Sequence, residues 1–310
     1  MNKSTPKIYR TTNWSSYNRA LINRGNIAIW FDPATQWYAP SKGKQGRNQT
    51  YSDAAIQCCL MIKSLFRLSL RMVTGFVQSL IHLCGLNWIA PDYTTICRRQ
   101  QHIDIVISYQ KSCDGLYLIV DSTGLKFLGE GEWKRKKHQP EYRRQWRKLH
   151  IGIDAETLQI RAVQLTTNNV SDSQVLGDLL DQIPLDERID SVYTDGAYDT
   201  KCCRKVISDR QAHAVIPPRK NAKPCKDSKI SSIERNELLQ TVKHLGRTLW
   251  KKWSGYHRRS LVETKMHCIK LLGDKLMARS FPSQVNEIHA RGAVLNRFTE
   301  LGRPLTQVTP

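Results

Sequence analysis

Leu116-Tyr117-Leu118-Ile119-Val120-Asp121 and, further along, Ser191-Val192-Tyr193-Thr194-Asp195 are two strand-type runs, each ending in an acid. Up to about residue 115 the apolar residues recur at helical spacing, and from Leu116 the period becomes that of an extended chain. Residues 147–154 and 158–166 alternate and are joined by Ala155-Glu156-Thr157, which predicts a hairpin. Ser171 can cap a helix over 171–182, and 200–210 reads as another. Residues 212–217 read as a fifth strand, stopped by Pro217-Pro218. A basic segment, 218–245, looks inserted before a long helix over 256–272. Three strands, then alternating helices and strands, then a closing helix predict a mixed α/β sheet.

The preceding region is helical. Ser52-Asp53 can start a helix that runs to Arg67, and Ser69 a second that runs to Cys84, with Gly85 as the stop. Pro91-Asp92 starts a third, with Asp92 as its cap and Arg98-Arg99 on an exposed turn. Helix, turn and helix with basic residues suit a reader of the DNA major groove, and equally an ordinary helical bundle. Residues 1–50 are polar and turn-rich, with Trp14, Tyr17, Trp30, Trp37 and Tyr38 among them, and are expected to form a locally packed arm.

The charge is lopsided. Lys and Arg number 48 against 27 Asp and Glu in 310 residues, a formal net charge of +21. Three tracts hold most of it: 134–148 at +7, 217–229 at +4 and 243–259 at +6, together +17 of the +21. A single basic run is commonly a solvated face. Three such runs, with Trp133, Trp146, Trp250 and Trp253 nearby, point to phosphate neutralisation and stacking on bases. The same tryptophans also suit core packing. No apolar run approaches the ~20 residues of a membrane helix, and the polar, basic start of the chain shows no secretory signal. The nine cysteines include no C-x2-C or C-x4-C spacing, so reduced thiols in a cytosolic compartment are expected rather than a zinc or redox site.

Asp121 and Asp195 share one crevice if their strands are neighbours, because ligand sites in α/β sheets lie at strand carboxyl ends. Each could equally be a turn or cap residue. Paired carboxylates in so basic a chain suit two-metal phosphoryl chemistry, with ions about 4 Å apart, and oxygen ligands favour Mg²⁺, with Mn²⁺ as substitute. On the late helix Tyr256, Arg259, Glu263 and Lys270 fall within about 60° of one another. Glu263 could complete the acidic set, or form an exposed i,i+4 ion pair with Arg259. Neither G-x-S-x-G nor G-x4-G-K-[ST] occurs, so no serine hydrolase or P-loop reading arises.

Tyr256-x2-Arg259-x3-Glu263-x6-Lys270 resembles the Y-R-E-K signature of bacterial insertion-sequence transposases with a DDE active site. Asp121-Ser-Thr-Gly-Leu-Lys126, Trp146-Arg-Lys-Leu-His150, Asp195-Gly-Ala-Tyr-Asp199 and Tyr93-Thr-Thr-Ile-Cys-Arg-Arg99 look like further landmarks of insertion-sequence family five. The resemblance covers nearly the whole chain. It implies an RNase H-like catalytic domain over 111–290, a helical DNA-binding region over 1–110 and a tail over 291–310. Asp121, Asp195 and Glu263 would be the catalytic metal ligands, and Tyr256, Arg259 and Lys270 would position DNA. Lys126, Arg98 and Arg99 would add DNA contacts, as would Lys134, Lys136 and Lys137 unless they only line a solvated loop. His150 and His267 read as structural. The implied activity is binding of terminal inverted repeats, cleavage there and joining of 3′ ends to target DNA. The expected partners are double-stranded DNA and further copies of the chain, in a bacterial cytoplasm at the nucleoid. The alternatives are a DNA-binding regulator that has lost the chemistry and a nuclease that cuts without joining.

Overall fold

The computed structural model describes residues 9–32, 34–41, 48–112, 114–128, 146–226 and 229–308. A short strand β1 (Tyr9–Thr11) and helix α1 (Trp14–Asn23) precede three helices, α2 (Asp53–Phe66), α3 (Leu70–Leu83) and α4 (Tyr93–Arg99). The caps are those the sequence offers. Ser52 Oγ accepts from the Ala55 N–H, Ser69 Oγ from Met72 and Asp92 from Thr94. Arg67, at φ 52°, ends α2 in the left-handed region, and Gly85, at φ 65°, follows α3. Ile56, Cys59, Leu60, Val73, Val77, Ile81 and Ile96 form the buried seam of this helical region.

The expected arm packs within itself, Trp14 on Tyr17 and Phe31 on Trp37, and also beyond itself. Phe31 and Trp37 are buried in the same helical core, and Trp37 stacks on Trp88 at 4.8 Å and 5°. At the chain ends, β1 pairs antiparallel with β8 (Thr306–Val308). Apolar rings spaced by turn residues give no periodic signal, so their long-range partners were invisible in the sequence.

The sheet is built from β2 (Leu116–Phe127), β3 (Arg147–Asp154), β4 (Ile160–Thr167), β5 (Ile189–Tyr193) and β6 (His213–Val215), in the order β4-β3-β2-β5-β6. β3 is antiparallel to both its neighbours, while β5 runs parallel to β2 and β6. Three antiparallel strands followed by two parallel ones on the far side of the first make an RNase H-like sheet. A two-residue β7 (Lys275–Leu276) pairs with the far end of β2. The strand expected to stop at Asp121 therefore runs on to Phe127, because β3 and β7 supply partners and Leu125 and Phe127 remain buried.

Alternation along β2 feeds two cores. Leu116, Leu118 and Val120 face α5 (Asp172–Asp181) and α6 (Lys201–Asp209), whereas Ile119, Leu125 and Phe127 face the late helices. The inserted segment contains α7 (Ile230–Leu245), and α8 (Arg247–Trp253) follows it and buries Trp250. The long helix expected over 256–272 begins instead as a 3-10 turn, Tyr256–Arg259, before α9 (Ser260–Leu271). The last helix, α10 (Phe281–Leu301), packs on both α2 and β4. A boundary between residues 290 and 291 consequently falls inside a helix whose Arg291 to Asn296 stretch is buried.

Candidate active site

The pairing of β2 with β5 sets Ile119 opposite Tyr193. Asp121 lies two residues further along β2 and Asp195 two residues past Tyr193, just beyond the end of β5. The parallel pairing thus carries both acids to one edge of the sheet, where the charge of Asp195 acts on Asp121. Asp195 does serve as a cap: its Oδ1 accepts from the Ala197 N–H at 2.8 Å and starts the 3-10 turn Gly196–Tyr198. Asp121 Oδ1 accepts from the Ser122 N–H at 2.8 Å. Burial holds the Asp121 carboxyl above its ordinary range and the charge of Asp195 adds to this, outweighing Arg259 and the Ser122 N–H.

The third acid arrives through an arginine. Val262, Met266 and Ile269 bury one face of α9 against the sheet, which presents Glu263 beside β2. Arg259 Nη1 donates to Asp121 Oδ2 at 2.5 Å and Nη2 to Glu263 Oε1 at 2.8 Å. The i,i+4 ion pair foreseen as an alternative thus exists, with Glu263 59% exposed, and the same guanidinium reaches across to Asp121. Lys270 Nζ donates to Thr123 Oγ1 at 2.8 Å, tying the far end of α9 to β2. Tyr256 is half-buried beside Trp250 and Lys251. Burial raises its hydroxyl pKa; Arg259 opposes the rise, and the charges of Asp195, Asp121 and Glu263 add to it. Of the Tyr256–Lys270 spacing, Arg259 and Glu263 thus join Asp121, Tyr256 feels the charges of the acids, and Lys270 touches Thr123 two residues along β2.

Behind the acids lies a layer that sequence reasoning missed. Asp172 opens α5 and sits 2.9 Å from Lys148 Nζ and 3.6 Å from His150 Nδ1. Burial acts to raise the Asp172 pKa, but hydrogen bonds from Ser122 and Lys148 prevail and hold it low. His150 is fully buried, shares a 3.0 Å hydrogen bond with Thr166, and is pushed down to about 4 by burial. Near pH 7 it is therefore neutral. Tyr198 is buried with no hydrogen-bond partner for its hydroxyl among the described residues. Its pKa is raised by burial first and then by Asp172, Asp121 and Asp195. Asp199 accepts from Arg204 Nε and Arg235 Nε, both at 3.0 Å, and so fastens the inserted segment to the sheet. An acid after a tyrosine carries no pattern that marks it as such a clamp.

Other expected residues lie elsewhere. Lys126 is exposed and, five positions from Asp121, projects from the opposite face of β2. Arg99 donates to the Tyr51 carbonyl at 2.9 Å and pairs with Asp53, which makes it a brace between α4 and α2. Arg98 is exposed. Trp250 is core, whereas Trp253 and Trp146 are exposed. Trp133, Lys134, Lys136 and Lys137 lie outside the described residues.

Asp121, Asp195 and Glu263 offer oxygen donors only, the chemistry of a hard dication. Burial, with a smaller contribution from Asp195, disfavours the charged form of Asp121, a cost that a bound cation would offset. The donor set fits, although among the described residues no three acidic, His or Cys side chains close on a common point. Arg259 stands between two of them. A chain of the simian T-cell lymphotropic virus intasome, solved in complex with PP2A regulatory subunit B56 gamma, is 15% identical over 70% of this chain and 74% of its own. Its TM-score of 0.25 is too low to bear on fold or function. Two family models, both described as a transposase DDE domain, match residues 22–130 and 113–297. The second spans well over half of the 310 residues; the chain belongs to the family of transposase DDE domains.

Proposed function

We propose that this chain is an insertion-sequence transposase of family five, which binds the terminal inverted repeats of its element, cleaves phosphodiester bonds there and joins the freed 3′ ends to target DNA. The observation that carries the reading is the parallel pairing of β2 with β5, which brings Asp121 and Asp195 to one edge of the sheet, with Glu263 linked to Asp121 through Arg259. Mg²⁺, or Mn²⁺ in its place, would be held by Asp121, Asp195 and Glu263 and would supply activation of the attacking oxygen and stabilisation of the leaving one. The protein's part is positional. β2 and β5 bring two acids to one edge, and α9 delivers the third. Arg259, on releasing the carboxylates, is free to take a DNA phosphate; Tyr256 and Lys270 line the same edge. Further copies of the chain would pair two element ends in one synaptic complex.

The test is strand cleavage and joining on labelled element ends with Mg²⁺ at saturating protein. Asp195→Asn keeps size and shape and removes one charge. Cleavage should fall by several orders of magnitude while end binding survives, because the residue acts on the chemical step and not on the complex. Cleavage at the wild-type rate would remove Asp195 from the site. Cutting without joining would leave a nuclease, and binding without either would leave a regulator.

A further inference from the structure

Away from the carboxylates, an open groove of about 510 Å³ runs between the helical region and the sheet. The start of α3, one side of α4, the end of β2 and the segment after β7 form its walls. Four of its lining residues are cations, Lys63, Arg71, Arg98 and Arg279, and none is an acid. Lys63 at the floor is buried and already paired with Glu287 at 3.7 Å. The three arginines are exposed and have no ion-pair partner among the described residues.

Both walls are held in place. The Arg71 guanidinium lies 4.5 Å from the ring centre of Tyr93, a cation–π contact that orients it. Opposite, Glu287 accepts the Met277 N–H at 3.0 Å and the Ala278 N–H at 2.9 Å. Arg291 in turn binds Glu287 and the Gly273 and Lys275 carbonyls, so Arg279 projects from a fixed backbone. Three guanidiniums line one groove with no acid in its wall, and the Asp92 carboxylate at the cap of α4 feels the charge of Arg98. A ligand with regularly spaced negative charges complements them.

We infer that this groove seats the sugar–phosphate backbone of the element-end duplex at a fixed distance from the cleaved bond, an inference that rests on the transposase reading. Leu128 follows directly on the end of β2, seven residues beyond Asp121, about 23 Å at ~3.3 Å per residue. A duplex whose end reaches Asp121 and lies along β2 passes the groove about seven base pairs inside that end, at ~3.4 Å per pair. Arg98 then contacts phosphate rather than a base edge.

The experiment titrates the full-length protein with a fluorescent duplex carrying the flanking inverted repeat, over a chloride series. Arg71→Ala, Arg98→Ala and Arg279→Ala combined should lower the slope of log affinity against log salt by about 2.7, or ~0.9 per lost phosphate contact. Lys111→Ala, Arg188→Ala and Lys205→Ala combined remove the same charge elsewhere and should leave the slope within about one contact's worth of wild type. Equal losses in the two sets would reduce the groove to part of a diffuse basic field and overturn the inference. A wild-type slope in the groove variant would overturn it too while the transposase reading stands; a flat slope in the wild type would strike that reading instead. Cys97 lies exposed in the groove and gives the register. Disulfide trapping to thiols tethered at successive phosphates should peak about seven base pairs from the cleaved bond and vanish with Cys97→Ser. Trapping only on a repeat-free target duplex would overturn the assignment to the element end.

Discussion

At the scale of single residues, Arg259 and Lys265 show how two cations six positions apart do opposite things. Arg259 bridges Asp121 and Glu263 through the two arms of a planar guanidinium, a geometry that a lysine ammonium cannot copy. Arg259→Lys should therefore keep most end affinity and lower single-turnover cleavage by roughly 100-fold, the scale of a 1 Å misplacement; an unchanged rate would make the bridge irrelevant to the chemistry. Lys265 lies on the buried side of α9, with Nζ 3.1 Å from Thr299 Oγ1, and burial lowers it to about 8. Below that pH a charged ammonium is kept from water. The unfolded chain retains its proton up to about 10.5, so stability rises with pH between these values as the folded form sheds the charge. Lys265→Met should raise Tm at pH 7, by about 1–3 kcal/mol of stability, and its advantage should shrink as pH rises from 8 to 10.5. A constant advantage would mean that folding does not shift the pKa of this lysine. The sequence made the Tyr256-to-Lys270 spacing legible because one short local stretch, a 3-10 turn running into α9, carries it. Lys265 was not legible, because its burial depends on a helix more than thirty residues away.

Among the elements, caps, strand periodicity and the hairpin could be read from local residues, and the acids at strand ends could be read as a pair. The later half of β2 could not, since its partners β3 and β7 come from distant chain. Nor could the 3-10 start before α9, which follows Gly255 at φ 66°. The inserted segment read only as basic. In the fold it is anchored by Asp199, whose fully buried side chain faces Arg204 and Arg235. Burial favours the neutral acid, yet the Arg235 hydrogen bonds and the Arg204 charge hold its pKa down. Asp199→Ala leaves two guanidiniums without their anion, a loss of about 3–5 kcal/mol. At roughly 2–4 °C per kcal/mol for a larger domain, Tm should drop by about 10 °C, and limited proteolysis should open the segment around Arg219 first. The contrast is Arg297 with Glu300, a pair about half exposed, where Glu300→Ala should cost under about 1 kcal/mol. Equal thermal shifts in the two variants would deny Asp199 its anchoring role.

For the whole molecule, α10 joins what the sequence divided. Its Gln284, Asn286, Glu287, Arg291 and Asn296 are buried and hydrogen-bonded to partners that include Gln100, Gly273 and Ile160. The sequence reading makes the stretch from residue 291 on a tail, and only the assembled fold explains its buried polar residues. Charge, by contrast, was legible in full, and it makes salt act in two directions. A compact chain of 310 residues has a radius of gyration of about 20 Å. The Debye length is about 30 Å at 0.01 M and about 8 Å at 0.15 M, so the +21 charges repel across the entire molecule in the first case and only locally in the second. Raising chloride over that range should raise the Tm of the free protein, because the unfolded chain spreads the same charge over a larger volume. The same salt weakens binding to duplex DNA, which releases counterions. Thermal unfolding with and without duplex should accordingly give two curves that start far apart at low salt and converge as salt rises, the free curve climbing and the bound one falling. Chloride is the salt to use, since sulfate strengthens apolar burial and would lift both curves. A free-protein Tm that ignores chloride would show that the basic tracts are already neutralised within the fold, and the electrostatic basis for DNA binding would fall with it.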